Sequence, residues 1–111
     1  MKRLMILFGL SVLMIAACSD DDGGAQSETK RDVKRGRAVF LANCVACHNN
    51  DPARDGPIGP AIRGSSPELL RSRVLTTDYP PNYRPKRPTK IMPPFPFLIN
   101  EIPFLVAYLN N

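Results

Sequence analysis

The most informative feature of this 111-residue sequence is how few metal-binding and redox-active side chains it contains. It has one histidine, three cysteines and no tryptophan, and aromatic residues make up only 7% of the chain. A single histidine excludes any catalytic or metal site that needs two, and three cysteines cannot build a disulfide framework. No stretch alternates apolar and polar residues over the length of a strand, so the sequence predicts helices and loops rather than a sheet.

The N-terminus has the organisation of an export signal. Lys2 and Arg3 form a basic start, and residues 4–17 form a 14-residue apolar stretch that is interrupted only by Gly9 and Ser11. This stretch is shorter than the roughly 20 apolar residues that a transmembrane helix needs. We therefore expect residues 1–17 to be a signal peptide that is removed; an uncleaved anchor helix is the alternative.

Cys18 follows Ile15-Ala16-Ala17, and this segment resembles the lipobox of bacterial lipoproteins. The resemblance implies that Cys18 becomes the mature N-terminus and carries acyl chains, which hold a protein on a membrane because each buried methylene adds about 0.8 kcal/mol. A stray cysteine after an ordinary cleavage site is the alternative. We expect residues 18–29 to comprise the lipidated cysteine and a flexible acidic linker, because Ser19 to Thr29 includes no apolar residue larger than alanine.

Residues 30–111 are expected to form one small domain with three helices. Asp32, Ser66 and Asn100 are the predicted N-caps, and Gly36 inside the first helix indicates close approach by another backbone. The predicted helices are Val33 to about Asn43, Pro67 to about Leu75, and Glu101 to about Leu109. In the last helix an i, i+3, i+4, i+7 spacing predicts one apolar face, formed by Ile102, Leu105, Val106 and Leu109.

The segment 78–96 holds seven of the chain's twelve prolines. A disordered proline-rich linker is one interpretation. Its aromatic and large apolar residues, and its position between two predicted helices of a small domain, favour instead an ordered loop that wraps one side of a flat ligand. Prolines reduce the entropy that such a loop loses when it becomes ordered.

The clearest chemistry lies in Cys44-Val45-Ala46-Cys47-His48. Two cysteines three positions apart, followed at once by a histidine, are the attachment signature of a c-type haem. Positions i and i+3 of a helical turn share a face, so both thiols can form thioethers with the haem vinyl groups while His48 offers a nitrogen to iron. A zinc site and a thioredoxin-like dithiol are the alternatives, but zinc needs four ligands and the dithiol motif needs a βαβ setting.

Counting the candidates identifies the axial ligands. His48 is the only histidine of the chain, and Met92 is the only one of its four methionines outside the expected signal peptide. Met92 precedes a proline, which favours an extended backbone that can project its sulfur. We therefore expect one covalently bound haem c with His48 and Met92 as its axial ligands. The alternatives are a core methionine, an open sixth position, or a lysine ligand, Lys86 or Lys90.

From about Val33 to its C-terminus, the chain resembles class I bacterial monohaem cytochromes c. The resemblance implies an all-α, small cytochrome c fold, with three to four short helices around a covalently bound haem and a proline-rich axial-methionine loop. The blocks that carry it, in the family's order, are Gly36–His48, Gly59–Gly64, Met92–Pro96 and Ile102–Leu109.

The same resemblance implies roles for residues outside the haem motif. The carbonyl of Pro60 would receive the ring N–H of His48 and so fix the orientation of the imidazole. Ile62 would pack on the haem. Tyr108, in the last helix, would cross the first helix near Gly36.

The charge of the domain bears on its partners. Residues 30–111 carry 13 basic and 6 acidic side chains, a net charge of +7. Such a domain could meet nucleic acid, anionic lipid or an acidic protein, and export argues against nucleic acid. We expect an acidic redox partner, such as a terminal oxidase or another periplasmic electron carrier, which Lys86, Arg87 and Lys90 would steer to an exposed haem edge.

These features together predict a one-electron carrier that is lipid-anchored on the periplasmic side of a bacterial membrane. Six-coordinate His/Met haem has no open site for a substrate, and no second histidine supplies acid–base chemistry, so we do not expect an enzyme. The alternatives are a haem subunit of a sulfur-compound or small-molecule dehydrogenase, a weak peroxidase, or a haem-based gas sensor.

Overall fold

The computed structural model describes residues 22–111, with side chains described from residue 24 onward. The expected signal peptide, residues 1–17, and Cys18 lie outside these residues. Within them the fold is all-α, as predicted, and it contains no strand. In residues 22–111, no helix combines the length and the apolar character needed to span a bilayer. The elements are helix α1 (Asp22–Asn43), helix α2 (Pro67–Leu75), a 3₁₀-helix (Pro96–Glu101) and helix α3 (Ile102–Leu109).

Helices α1 and α3 cross at Gly36. A Cβ atom at Gly36 would lie 2.6 Å from the carbonyl carbon of Phe104 and 2.8 Å from Cβ of Tyr108, so only glycine fits without displacing a backbone. Next to the crossing, the rings of Phe40 and Tyr108 pack with their centroids 5.4 Å apart. The prediction that another backbone approaches Gly36 is therefore confirmed.

The core fills the space between the three α-helices and the 3₁₀-helix. Phe40, Leu105 and Leu109 are almost fully buried, and burying each such side chain contributes about 1.5–3 kcal/mol. The predicted apolar face of α3 is confirmed, because Ile102, Leu105 and Leu109 are its buried residues. Two adjoining clusters make up this core: Phe40, Leu70, Leu105 and Leu109 form one, and Val74, Leu98 and Ile102 form the other.

Helix α1 begins earlier than predicted. It starts at Asp22 rather than Val33, so Asp32 lies inside the helix and is not its N-cap. Residues 24–31 are exposed, and their side-chain hydrogen bonds are local ones, from Thr29 to the Ala25 carbonyl and from Arg31 to Ser27. The segment expected to be a flexible linker is thus helical from Asp22. It contains no proline, and once the docked part of α1 supplies a nucleus, each added turn costs little.

Of the N-caps predicted for the two later helices, one is confirmed and one is wrong. Helix α2 spans Pro67–Leu75 as predicted, and the Ser66 side chain accepts a hydrogen bond from the Leu69 N–H at 3.1 Å. The predicted cap at Asn100 is wrong, because this residue lies within the 3₁₀-helix and α3 follows without a side-chain cap. Pro96 occupies the first turn of the 3₁₀-helix, where its fixed φ favours an early start.

Candidate haem site

The Cys-x-x-Cys-His motif lies directly after the last residue of α1. The carbonyl of Cys44 accepts the backbone N–H of Cys47 at 3.2 Å and that of His48 at 2.9 Å, so the helical turn continues through the motif. This geometry is the one that the i, i+3 spacing predicts. Both cysteines and His48 line a single cavity.

His48 is held in one orientation. It is 8% exposed, and its Nδ1 lies 2.7 Å from the carbonyl oxygen of Pro60, the contact that the family resemblance implies. Because a carbonyl can only accept, Nδ1 carries the proton in the neutral ring, and the lone pair on Nε2 is left for a metal. The ring therefore has the tautomer that iron ligation requires.

The loop that supports this ring leaves no space for a side chain at Gly59. A Cβ at that position would lie 2.5 Å from Cε1 and 2.6 Å from Nδ1 of the His48 ring. The loop is also bonded to the motif itself, since the Cys47 carbonyl accepts the N–H of Ile58 at 3.2 Å and of Gly59 at 2.8 Å. The family resemblance includes Gly59 in one of its blocks, but the contact of Gly59 with the imidazole is a tertiary one that sequence spacing does not reveal.

The cavity has a volume of about 340 Å³ and lies between α1, α2, α3 and the proline-rich segment. Met92 lines it, is half-buried, and packs against the cluster of Val74, Leu98 and Ile102. Ile62 packs against the cluster around Phe40. The structure thus brings together all the residues proposed for the haem site within its described part: Cys44, Cys47, His48, Pro60, Ile62 and Met92.

The two cysteines are free thiols and half-buried. Burial, with a smaller contribution from the charge of Cys47, raises the pKa of the Cys44 thiol to about 11. A thioredoxin-like dithiol depends on the opposite shift, which stabilises the nucleophilic thiolate. Between residues 22 and 111, no three His, Cys, Asp or Glu side chains are grouped to hold a metal ion.

The lining of the cavity fits a haem. Its wall is mainly apolar, as a porphyrin face requires, and it presents two thiols, one oriented imidazole and one thioether. In the part of the chain with described side chains, no buried polar side-chain atom lacks a hydrogen-bond partner. The donor set is that of a c-type haem: two sulfurs for covalent attachment, and a nitrogen and a thioether sulfur for iron.

The proline-rich segment contributes contacts to which the sequence assigned no role. The rings of Tyr79 and Tyr83 stack at 5.4 Å, and the Arg73 guanidinium lies 4.1 Å above the Tyr79 ring. All three side chains line the cavity, so the segment is an ordered wall of the site, not a disordered linker. The tyrosines interspersed among prolines were the signal for this order.

Comparisons with known proteins agree with this geometry. The sequence model of the cytochrome c family matches residues 33–111. A cytochrome c-553-like protein of Synechocystis sp. is 44% identical over 46 residues, which cover 41% of this chain. The matched part spans 42% of the length of that relative. No solved structure matches the chain.

Proposed function

The chain belongs to the cytochrome c family, and from that premise we propose that it is an exported, membrane-tethered one-electron carrier whose haem iron is bound by His48 and Met92. Members of this family hold haem c covalently, and here Cys44 and Cys47 are the attachment residues. When bound, the haem supplies an iron that gains and loses one electron. The observation that carries the proposal is that the cavity lining includes both cysteines, His48 and Met92.

The His48 side of the site is supported by its hydrogen bond. Donation of the Nδ1 proton to the Pro60 carbonyl at 2.7 Å fixes the ring and increases the basicity of Nε2. A more basic imidazole stabilises the ferric state relative to the ferrous state. Met92, whose thioether is a soft ligand, has the opposite effect and raises the reduction potential.

The contacts of the rival ligands favour Met92. The Lys86 ammonium donates to the carbonyl of Ala61 at 2.7 Å, so it is already used. Lys90 is exposed and does not line the cavity. Met92 is half-buried and does line it. An open sixth position would leave this thioether in the cavity with no function beyond packing.

The place where electrons enter and leave is proposed from the mouth of the cavity. Ile58 and Ile91 line the cavity and are also 42% and 64% exposed, so they lie where it opens to solvent. Basic side chains lie close to this opening: Lys86 and Arg87 line the same cavity, and Lys90 precedes Ile91 in the sequence. An apolar opening flanked by positive charge fits an acidic redox protein, because long-range attraction steers the encounter.

Export and tethering are proposed from the sequence alone. The basic and apolar N-terminus is a signal for secretion, and the Ile15-Ala16-Ala17-Cys18 segment resembles a lipobox. At Asp22, the first residue that the structure describes, the chain is already helical. A lipid at Cys18 would therefore be followed almost at once by helix, which would hold the haem domain near the membrane.

The optical spectrum of the oxidised protein tests the ligation. The wild-type protein should show the near-infrared charge-transfer band of an iron–thioether bond, and Met92→Ala should lose it because no other methionine remains in the mature chain. Met92→Leu, which preserves the packing volume, should lose the band as well. A high-spin wild-type protein without this band, or rapid carbon monoxide binding by its reduced form, would contradict the ligand assignment and favour an enzyme or a gas sensor.

A further inference from the structure

Two basic side chains fasten the proline-rich segment to the loop beneath His48. We call residues 79–92 the strap and residues 55–61 the support loop. From the strap, the Lys86 ammonium donates to the Ala61 carbonyl at 2.7 Å. The Arg87 guanidinium donates to the Ile58 carbonyl at 2.8 Å and reaches the Gly56 carbonyl at 3.4 Å. The strap therefore binds mainly the backbone of the support loop, and the Arg87 guanidinium also lies 3.8 Å from a carboxylate oxygen of Asp55.

The three accepting carbonyls lie on both sides of Pro60. Gly56 and Ile58 precede this proline and Ala61 follows it, while the Pro60 carbonyl itself accepts from Nδ1 of His48. The N–H groups of the support loop are also engaged, since Ala61 donates to Asp55 at 2.8 Å and Gly59 donates to the Cys47 carbonyl at 2.8 Å. Lys86 and Arg87 add to these bonds the donors that hold the carbonyls on either side of Pro60.

The same two side chains are close in sequence to Met92. Arg87 precedes Met92 by five residues, and five extended residues span at most about 18 Å. Prolines at positions 85 and 88 stiffen the backbone on both sides of the pair. A restraint on Lys86 and Arg87 is therefore also a restraint on the backbone that carries the Met92 thioether.

We propose that Lys86 and Arg87 are positioning residues that keep the Pro60 carbonyl against His48 and keep Met92 in the cavity, so that the two ligand-bearing segments are coupled. This inference rests on the proposed His48 and Met92 ligation. It differs from the expectation that these two cations serve only to attract a partner. Hydrogen bonds from a charged donor are stronger than neutral ones, and Arg87 is half-buried, where water competes less.

The strap also supplies a matched control. Arg84 is exposed, lies in the same strap and carries the same charge as Arg87. Among residues with described side chains, no hydrogen bond or ion pair involves Arg84. Replacing Arg84 therefore changes the charge of the strap without changing its attachment to the support loop.

The test compares the holoproteins K86A/R87A, R87K and R84A with the wild type. Exchange of the His48 Nδ1 proton with solvent, followed by NMR in the reduced state, reports on the Pro60 hydrogen bond. Displacement of Met92 by added imidazole in the oxidised state, followed by loss of the near-infrared band, reports on the other ligand. Both rates should rise roughly tenfold in K86A/R87A. A tenfold change corresponds to the loss of about 1.4 kcal/mol of the free energy with which the hydrogen bonds hold the two segments.

The variants should separate attachment from charge. R87K keeps one donor and should recover part of the wild-type rates, while R84A should match the wild type in both measurements. If the double variant does not mature, K86A alone should shift both rates in the same direction by a smaller factor. Unchanged rates in K86A/R87A, or equal acceleration in R84A, would overturn the proposal.

The two proposals can fail separately. If the wild-type protein lacks the iron–thioether band, the proposed Met92 ligation is wrong. The exchange rate of the His48 Nδ1 proton then decides by itself whether Lys86 and Arg87 position the His48 ring. If the band is present but neither rate responds to K86A/R87A, the ligation stands and the coupling by Lys86 and Arg87 is wrong.

Discussion

The backbone carbonyl of Phe104 occupies the place that a side chain at Gly36 would need. This contact fixes how closely α1 crosses α3. It therefore also fixes the position, relative to α3, of the haem motif that follows α1. Arg35, the neighbour of Gly36, strengthens the same crossing. Its guanidinium lies 4.2 Å above the Phe104 ring and binds both carboxylate oxygens of Glu101, at 2.9 and 2.7 Å.

Replacing Gly36 by alanine should force the two helices apart. The added Cβ would meet backbone, which cannot rotate away, and overpacking of this kind costs about 1–3 kcal/mol. Denaturant unfolding of G36A followed by circular dichroism should show that loss. G24A is the matched control, because no heavy atom lies within 4 Å of its new Cβ, and it should be neutral or slightly stabilising. Equal midpoints for G36A and wild type would contradict the crossing.

The Arg35–Glu101 pair should make stability depend on pH. Hydrogen bonds from Arg35 are the main reason that the pKa of Glu101 lies below its usual value. A lowered pKa in the folded state stabilises the protein above the unfolded-state pKa, near 4.5, and that contribution disappears as the pH falls through the lower folded value. The melting temperature of E101Q should therefore be below that of wild type at pH 6, and the difference should shrink toward pH 3.

Two controls accompany the measurement on Glu101. E28Q removes an exposed carboxylate of α1 for which no ion pair is recorded among the described residues, and it should melt like the wild type at both pH values. Because Arg35 is more than half exposed, added salt should reduce the effect of E101Q. A difference that is constant with pH would show that the carboxylate charge is not what stabilises the crossing.

The charge around the cavity mouth should govern reaction with small oxidants. Oxidation of the reduced protein by anionic ferricyanide should slow as ionic strength rises, whereas oxidation by the cationic tris(phenanthroline)cobalt(III) complex should speed up, because salt screens attraction and repulsion alike. K90E, which reverses the charge next to Ile91 at the mouth of the cavity, should flatten the salt dependence with ferricyanide. R37E, which changes an exposed residue of α1 outside the cavity lining, should have a smaller effect. Stopped-flow rates that ignore ionic strength would contradict electrostatic steering.

Lipidation at Cys18 should decide where the mature protein resides. In a bacterial host that attaches haem c, the wild-type protein should sediment with membranes and partition into detergent. C18S should instead be released into the soluble periplasmic fraction, because several acyl chains provide the membrane affinity. C18S should keep the wild-type optical spectrum, since Cys18 is not a haem residue. Equal membrane partition of both proteins would show that the apolar N-terminus, not a lipid, is the anchor.

Local signals accounted for much of the fold. Ser66 and Pro67 predicted the start of α2, because a hydroxyl cap and a proline in the first turn act within a few residues. The i, i+3, i+4, i+7 spacing predicted the buried face of α3. The extension of α1 before Val33 was not predicted. These turns are exposed, so they show no apolar periodicity, and Asp32, the residue expected to cap the helix, lies inside it. The 3₁₀-helix was missed because short turns around proline have no periodicity to detect.

By itself, the sequence determined what the site is made of. Only one histidine and one methionine remain after the expected signal peptide. Covalent attachment of the haem sets the spacing of Cys44, Cys47 and His48, and residues this close in the chain meet it without any tertiary contact. Tertiary structure alone decided what holds these groups. The contacts from Gly36 to Phe104 and from Arg87 to the Ile58 carbonyl join residues 68 and 29 positions apart. Their partners are backbone atoms, which every residue type possesses, so only the packed chain shows which ones meet.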